Sequence, residues 1–183
     1  MERISYSPET LFHVLTHFET ADEALRDSLR RAGFTDEAID GQLRMPASKF
    51  LRTFALSPQE AVARLQRDFP ESFTALHPGA DGRVRLSFRY DEPVGTSGLA
   101  ADAELTPAER ATVRNILRNG CPVRTVRTSR TISTGACQLI LERTGEAGYA
   151  LRTLFPGELA PPLPLPGEAP DPFWATHLLI EFN

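Results

Sequence analysis

The chain has 183 residues, of which 41% are hydrophobic, and a net charge of −4 at pH 7. This length and composition suit one ordinary domain, or a small pair, with a hydrophobic core. The first ten residues lack the apolar stretch of a signal peptide, and no apolar run is long enough to span a membrane. We therefore expect a globular cytoplasmic protein that uses no membrane and no cleaved export signal.

Helix-start signals are frequent in residues 1–76, which we predict to form an acidic helical module. Ser or Thr followed by Pro or Glu marks a helix start, because the hydroxyl caps the first free backbone amides. Such signals occur at Ser7-Pro8, at Thr20 with Glu23, and at Ser57-Pro58 with Glu60. With apolar residues spaced three to four apart, they predict four or five short helices within residues 8–69.

From residue 83 onward the pattern changes to that of strands. Thr106, Pro107 and Glu109 form the clearest helix start in the chain, and Gly120 is placed to end that helix. Alternating or β-branched segments predict strands at 83–90, 122–132, 136–143 and 148–155. The expected fold class is α+β: a helical N-terminal module followed by one helix, 107–119, packed on a small antiparallel sheet.

The second predicted module, residues 83–183, is basic and contains a Pro-rich strap. Seven prolines fall within residues 156–172, which we expect to cross the surface in an extended conformation. Residues 173–182 are expected to return to the core, with Trp174 as a core plug rather than a stacking platform for bases. Cys121 and Cys137 are too few for a disulfide framework, and we favour free thiols over a single bridge.

The basic charge is concentrated in one stretch of the chain. Between Glu109 and Glu142 there are six arginines, seven Thr or Ser residues and no carboxylate. Guanidinium groups bind phosphate oxygens in pairs and stay charged at cellular pH, so this stretch predicts a phosphate-rich partner. The alternative is a solvated strand whose arginines pair with the acidic N-terminal part of the same chain.

The predicted strand 122–132 has no apolar face. Alternation places Arg124 and Arg130 on one side, and Arg127 and Thr131 on the other. A strand that is polar on both faces is either a charged edge strand or part of a wet binding site. Hydroxyl groups do not protect an edge from aggregation, so we favour the binding site.

The sequence GYALRTLFPG, residues 148–157, resembles the closing strand of small bacterial ribonuclease toxins of the barnase, EndoU, colicin D and RelE superfamily. That strand often reads as hydrophobic residues, Thr, an apolar or aromatic pair and Pro, matched here by Thr153, Leu154, Phe155 and Pro156. One helix followed by a meander of strands extends the resemblance to residues 104–157. Alternation puts one set of side chains on a common face: Tyr149, Leu151, Thr153 and Phe155.

The resemblance implies that RNA is cleaved by attack of the ribose 2′-hydroxyl on the adjacent phosphate, without a metal or cofactor. Such chemistry needs a base, an acid and cations around the phosphate. The residues expected to act in catalysis are Arg124, Arg130, Thr153 and Thr128. Those expected to bind RNA or its phosphates are Arg127, Thr131, Thr134, Arg152 and Tyr149. The candidate acids or bases are Glu142 and His177.

The chain also departs from that superfamily. Many of its members use a histidine as acid or base, and residues 78–176 contain none. Glu109 is explained by its capping position, and Glu142 by pairing with Arg143 or with an arginine of a neighbouring strand. Partners implied by the resemblance are an RNA of unspecified type and a neutralising immunity or antitoxin protein.

Two other functions stay open. A non-catalytic adaptor could hold nucleic acid or an acidic protein on the same arginines. An Arg, Ser133-Thr134-Gly135 and Glu142 resemble the pattern of ADP-ribosyltransferases, although at much shorter spacing.

His13 and His17 have the spacing of metal ligands on a helix, but no third ligand is evident, so we expect surface or interface histidines and no metal site.

Overall fold

The computed structural model describes residues 3–45, 47–118, 120–145 and 148–181, and it has a mixed α/β fold with several sheets. No helix in these ranges is long and apolar enough to cross a membrane. The N-terminal part contains four helices: α1 (Pro8–Val14), α2 (Glu23–Arg31), α3 (Asp36–Arg44) and α4 (Pro58–Asp68).

Local caps explain where these helices begin. The Ser7 hydroxyl accepts a bond from the Thr10 amide, and Ser57 does the same for Glu60, as the sequence predicted. The prediction for α2 was wrong by two residues, because the Asp22 carboxylate, rather than Thr20, caps that helix. A carboxylate accepts amide bonds at a helix start at least as well as a hydroxyl does.

The first sheet has the strand order β1-β9-β8-β2. Its strands are β1 (Arg3–Ser5), β2 (Arg83–Arg89), β8 (Ala136–Arg143) and β9 (Gly148–Pro156). The pairs β2–β8 and β8–β9 are antiparallel, whereas β1 runs parallel to β9. The β8–β9 register shifts at Arg152, because Ile140 pairs with Thr153 while Leu141 pairs with Leu151. Arg152 therefore has no partner on β8 and forms a β-bulge.

The bulge corrects the predicted face of β9. Tyr149 and Leu151 share a face as expected, and that face points into the core, but the extra residue turns Thr153 and Phe155 away from them. Leu154 takes the inward position instead and is fully buried. A one-residue shift exchanges the two faces of a strand, because side chains alternate with a period of two.

The second sheet has the order β4-β10-β6-β5. Its strands are β4 (Leu99–Ala101), β5 (Arg114–Arg118), β6 (Cys121–Arg127) and β10 (His177–Glu181). The short strands β3 (Gly95–Thr96) and β7 (Ser133–Thr134) form a separate pair. The strands therefore divide into several sheets rather than the single small sheet that we predicted.

The predicted helix 107–119 was wrong beyond its first turn as far as Arg118, and Asn119 lies outside the described residues. Helix α5 spans only Pro107–Arg110, and its capping box joins Thr106 and Glu109 as predicted. The chain then forms β5, which pairs with β6 across a two-residue connection. Gly120, with φ of +80°, belongs to this hairpin and does not end a helix. The dipeptide Asn119-Gly120 was the missed signal, because Asn-Gly is typical of tight hairpin turns.

One hydrophobic core contains both the N-terminal helices and the first sheet. Its buried members include Leu15 and Leu65 from the helical part, and Leu139, Leu151 and Leu154 from the sheet. A smaller cluster around Val126 and Leu178 lies on the second sheet. The division into modules 1–76 and 83–183 stays a prediction, and the shared core makes it testable.

The segment after β9 and the two cysteines are as expected. Residues 158–172 form neither helix nor strand, and the strap is anchored at its start where Gln138 Nε2 donates to the Gly157 carbonyl at 2.9 Å.

Cys121 and Cys137 are free, buried, and in different sheets. Burial raises the pKa of the Cys137 thiol to about 12, which keeps it protonated and unreactive.

His17 faces inward, although we expected a surface or interface histidine. Its Nδ1 lies 2.9 Å from the Ser48 carbonyl oxygen, and its ring packs against Phe155 with the centroids 5.7 Å apart. Burial is the main cause that lowers the pKa of His17 to about 4. The nearby Lys49 ammonium acts in the same direction, while the bond to Ser48 opposes it.

The free energy of unfolding should therefore decrease as the pH falls from 6.5 to 4. In this interval an unfolded His17, with its ordinary pKa of 6.5, takes up a proton that the folded form does not accept. The full difference corresponds to about 3 kcal/mol. Urea unfolding across this range should give a flatter profile for His17→Gln than for the wild type or for the exposed control His13→Gln. Equal slopes in all three proteins would contradict the assignment.

Candidate active site

The arginines predicted to bind phosphate are bound to carboxylates of the same chain. Arg124 makes a two-pronged bond to Asp102, at 2.7 and 2.8 Å, and also donates to the Ala175 carbonyl. Arg130 binds Glu109 in the same way, at 2.7 and 3.1 Å. The guanidinium of Arg124 accordingly holds the pKa of Asp102 below its usual range.

Strand β10 neutralises the remaining cation of β6, Arg127, together with Arg114 of β5. Arg127 and Arg114 both bind Glu181, at 3.0 and 2.7 Å, and the buried Thr125 donates to the same carboxylate. The pKa of Glu181 is lowered to about 2, most strongly by its hydrogen bond from Arg114 and then by those from Thr125 and Arg127. The polarity of β6 on both faces thus has a structural explanation, since its partners come from residues 102–109 and 181 rather than from the N-terminal part.

Glu109 anchors the segment that follows β6. That strand ends at Arg127, so the predicted continuation through Ile132 was wrong. The Thr128 hydroxyl donates to Glu109 Oε1 at 2.6 Å, next to the Arg130 bonds. The pKa of Glu109 is held far below its usual range, mainly by its hydrogen bonds from Arg130 and then by those from Thr128 and the Thr106 amide. Thr131 borders a separate, wider groove that also contains Thr128 and Arg130.

The structure brings only two of the proposed catalytic residues together, Thr128 and Arg130 at Glu109. Arg124 lies on β6 in the second sheet, whereas Thr153 lies on β9 in the first. Arg152 of the neighbouring strand pairs with Glu142 at 3.2 Å, which is one of the two pairings predicted for Glu142. Tyr149 is buried and donates to the Leu76 carbonyl, which makes it part of the core.

The Ser-Thr-Gly segment and Glu142 are also far apart. Strand β8 begins just after Gly135, and Glu142 lies six residues beyond its first residue, Ala136. At about 3.3 Å per residue, that stretch of strand spans about 20 Å. The pattern that resembled ADP-ribosyltransferases is therefore not gathered into one site.

A polar cleft of about 320 Å³ brings a different set of groups together. It contains two residues that the sequence analysis selected, His177 and Thr134. It also contains Ser133 and Gly135 of the Ser-Thr-Gly segment, and residues that were not predicted to form a site, among them Arg89, Ser97, Glu104 and Glu158. The cleft forms because β10 inserts between β4 and β6, next to the β3–β7 pair.

Backbone contacts fix the orientation of His177. It begins β10 directly after the short helix α6 (Phe173–Thr176), and its Nδ1 lies 3.1 Å from the Phe173 carbonyl oxygen. The ring stacks on Phe173, with the centroids 3.9 Å apart and the planes within 4°. When Nδ1 donates to that carbonyl, Nε2 is the nitrogen left to exchange a proton with a ligand.

Arg89 is the cation of the cleft. It donates to Glu158 Oε1 at 3.0 Å, in a pair whose side chains are 72% and 50% exposed. An ion pair this exposed contributes little to stability, so a bound phosphate could replace Glu158 at low cost. The Glu104 carboxylate has no hydrogen bond or ion pair to any described residue, which leaves it open to a ligand.

Glycine at position 135 allows the floor of the cleft to form. A Cβ atom on Gly135 would lie 2.2 Å from the Tyr90 carbonyl oxygen, a contact that no other residue could make. The Tyr90 amide donates to the Gly135 carbonyl, so the two segments are held backbone to backbone. This contact places Ser133 and Thr134 beside the end of β2, which carries Arg89.

Neither a metal centre nor a known family accounts for the cleft. Within the described ranges no three His, Cys, Asp or Glu residues are grouped so that they could hold a metal ion. No protein-family model, no curated protein and no solved structure matches this chain significantly.

Proposed function

We propose that the protein is a ribonuclease and that the cleft around His177 is its active site. The observation that carries this proposal is the presence of an oriented imidazole, an unpaired carboxylate and an exchangeable arginine in one cavity. Those are the three kinds of group that 2′-hydroxyl attack on a phosphodiester requires. The proposal keeps the reaction that the resemblance implied and moves it from Arg124 and Arg130 to the cleft.

Glu104 and His177 take the roles of base and acid. An ionised Glu104 accepts the proton of the 2′-hydroxyl as its oxygen attacks phosphorus. His177 in its imidazolium form donates from both nitrogens, through Nδ1 to the Phe173 carbonyl and through Nε2 to the departing 5′ oxygen. The products are a 2′,3′-cyclic phosphate and a free 5′-hydroxyl, so atoms and charge balance without another reactant.

Arg89 and the hydroxyl groups stabilise the phosphate. Charge builds up on the non-bridging oxygens in the transition state, and a guanidinium placed there lowers the barrier most when it can make two bonds. Release of Glu158 frees Arg89 for this role. Ser133 and Thr134, on β7, supply additional donors at the cleft.

A ribonuclease of this kind fits a bacterial toxin or effector. Cleavage of cellular RNA would stop growth, so a producing cell would need a neutralising immunity or antitoxin protein. The adaptor hypothesis is weakened by the internal pairing of Arg114, Arg124, Arg127 and Arg130, because these charges are already neutralised.

Incubation of the purified protein with RNA tests the proposal. We expect cleavage in the presence of EDTA, new ends that carry 2′,3′-cyclic phosphate, and no cleavage where the scissile ribose is replaced by 2′-deoxyribose. Intact RNA of every tested class would refute the proposal. Retention of RNA without cleavage, with an affinity that falls steeply with salt, would favour the adaptor instead.

A further inference from the structure

A second cavity, of about 230 Å³, lies between the Pro-rich strap and the second sheet. Leu163, Pro164, Pro170 and Trp174 form apolar walls, while Arg124 and Asp171 supply the polar groups. A cavity walled by proline rings and an indole, with a few polar groups, suits an aromatic ligand that has a polar edge.

Trp174 is held as one wall of this cavity and is not the core plug that we expected. It is only partly buried, and its indole Nε1 donates to the carbonyl oxygen of Pro162 in the strap, 3.4 Å away. The Phe173 ring packs against it edge to face at 5.2 Å. These contacts fix the indole in place, so a ligand would meet a preformed surface.

The cavity adjoins the proposed active site. Ala175 lines the cavity and His177 lines the cleft, and two residues of chain span at most about 7 Å. Arg124 lines the cavity and binds Asp102, which lies between Ala101 and Glu104 of the cleft. A single nucleotide step could therefore reach from one to the other.

We propose that this cavity binds a nucleobase of the RNA strand whose phosphate lies in the cleft. This inference rests on the proposed ribonuclease function. Stacking of a base on Trp174 accepts any base, because each has an aromatic face, while Arg124 and Asp171 offer a donor and an acceptor to its edge. The Arg124–Asp102 ion pair then lies between the cavity, which binds the base, and the cleft, which binds the phosphate.

Trp174 is the only tryptophan of the chain, so its fluorescence reports on this cavity alone. With excitation at the red edge of tryptophan absorption, AMP should change the emission saturably, whereas ribose 5-phosphate should not. Ala175→Leu, which narrows the cavity, should weaken AMP binding by about tenfold or more. Ala108→Leu is the matched control, because Ala108 is exposed on α5 and lines neither cavity nor cleft.

The outcomes separate this inference from the proposed function. A response to AMP that Ala175→Leu weakens supports the base subsite, even if RNA stays intact and the ribonuclease proposal fails. RNA cleavage without any response to AMP would overturn the subsite alone. An equal response to ribose 5-phosphate, or unchanged AMP binding by a folded Ala175→Leu variant, would also overturn it.

Discussion

Replacement of His177 by alanine is expected to lower the rate of RNA cleavage by about 100- to 10,000-fold, the usual contribution of a positioned acid or base. The imidazole of His177 lines the cleft, is oriented by the Phe173 carbonyl and is stacked on the Phe173 ring, so Nε2 is the nitrogen left to exchange a proton with a ligand. Single-turnover cleavage of a defined RNA measures the effect. His13→Ala is the control, since His13 is exposed on α1, far in sequence from the cleft.

The pH dependence separates an acid role from a structural one. With Glu104 as base and His177 as acid, the wild-type rate should rise and then fall with increasing pH. Glu104→Gln should remove the rising limb, and a folded His177→Ala should remove the falling limb. If His177→Ala cleaves RNA as fast as the wild type while circular dichroism shows the same fold, the cleft is not the active site.

Phe50→Ala should lower the free energy of unfolding of the whole chain by about 3–5 kcal/mol, because it removes a large ring from a packed interior. Phe50 is 1% exposed, and its ring lies 5.2 Å from those of Phe18 and Phe54. Its backbone also pairs with Gly95 in β3, which joins the helical part to the sheets.

Urea unfolding followed by two signals tests whether residues 1–76 form a separate module. Circular dichroism at the helical band reports mainly on the N-terminal helices, and Trp174 fluorescence reports on the C-terminal part. With a shared core, both transitions should coincide and shift together in Phe50→Ala. Two separated transitions would instead favour independent modules. Leu117→Ala is the control: Leu117 is 76% exposed, so its loss should change stability by less than about 0.5 kcal/mol.

Features set by neighbouring residues could be predicted from the sequence. Ser7, Ser57 and Thr106 each cap a helix at the predicted position, because a cap depends on an amide only three residues away. Strands β2, β8 and β9 also lie close to their predicted positions, since alternation and β-branched composition are local patterns.

The errors in the fold have identifiable local causes. A strong capping box at Thr106 suggested a long helix, but α5 ends after one turn and the chain pairs with β6. In β9, the bulge at Arg152 changed which side chains face the core, and no residue type announces such a bulge in the sequence. Both outcomes depend on pairing with another strand, which overrides local preference.

The sequence by itself determined the caps at Ser7, Ser57 and Thr106, the strands β2, β8 and β9, the extended strap and the concentration of charge between residues 109 and 142. Only the tertiary structure decided which charges are available to a ligand. Glu109 and Glu181 reach the arginines of the basic stretch from outside it, whereas Arg89, Glu104 and His177 meet in a cleft although they lie up to 88 residues apart. The physical reason is that a charge is neutralised or left free by neighbours in space, and β10 acquires its neighbours only by inserting between β4 and β6.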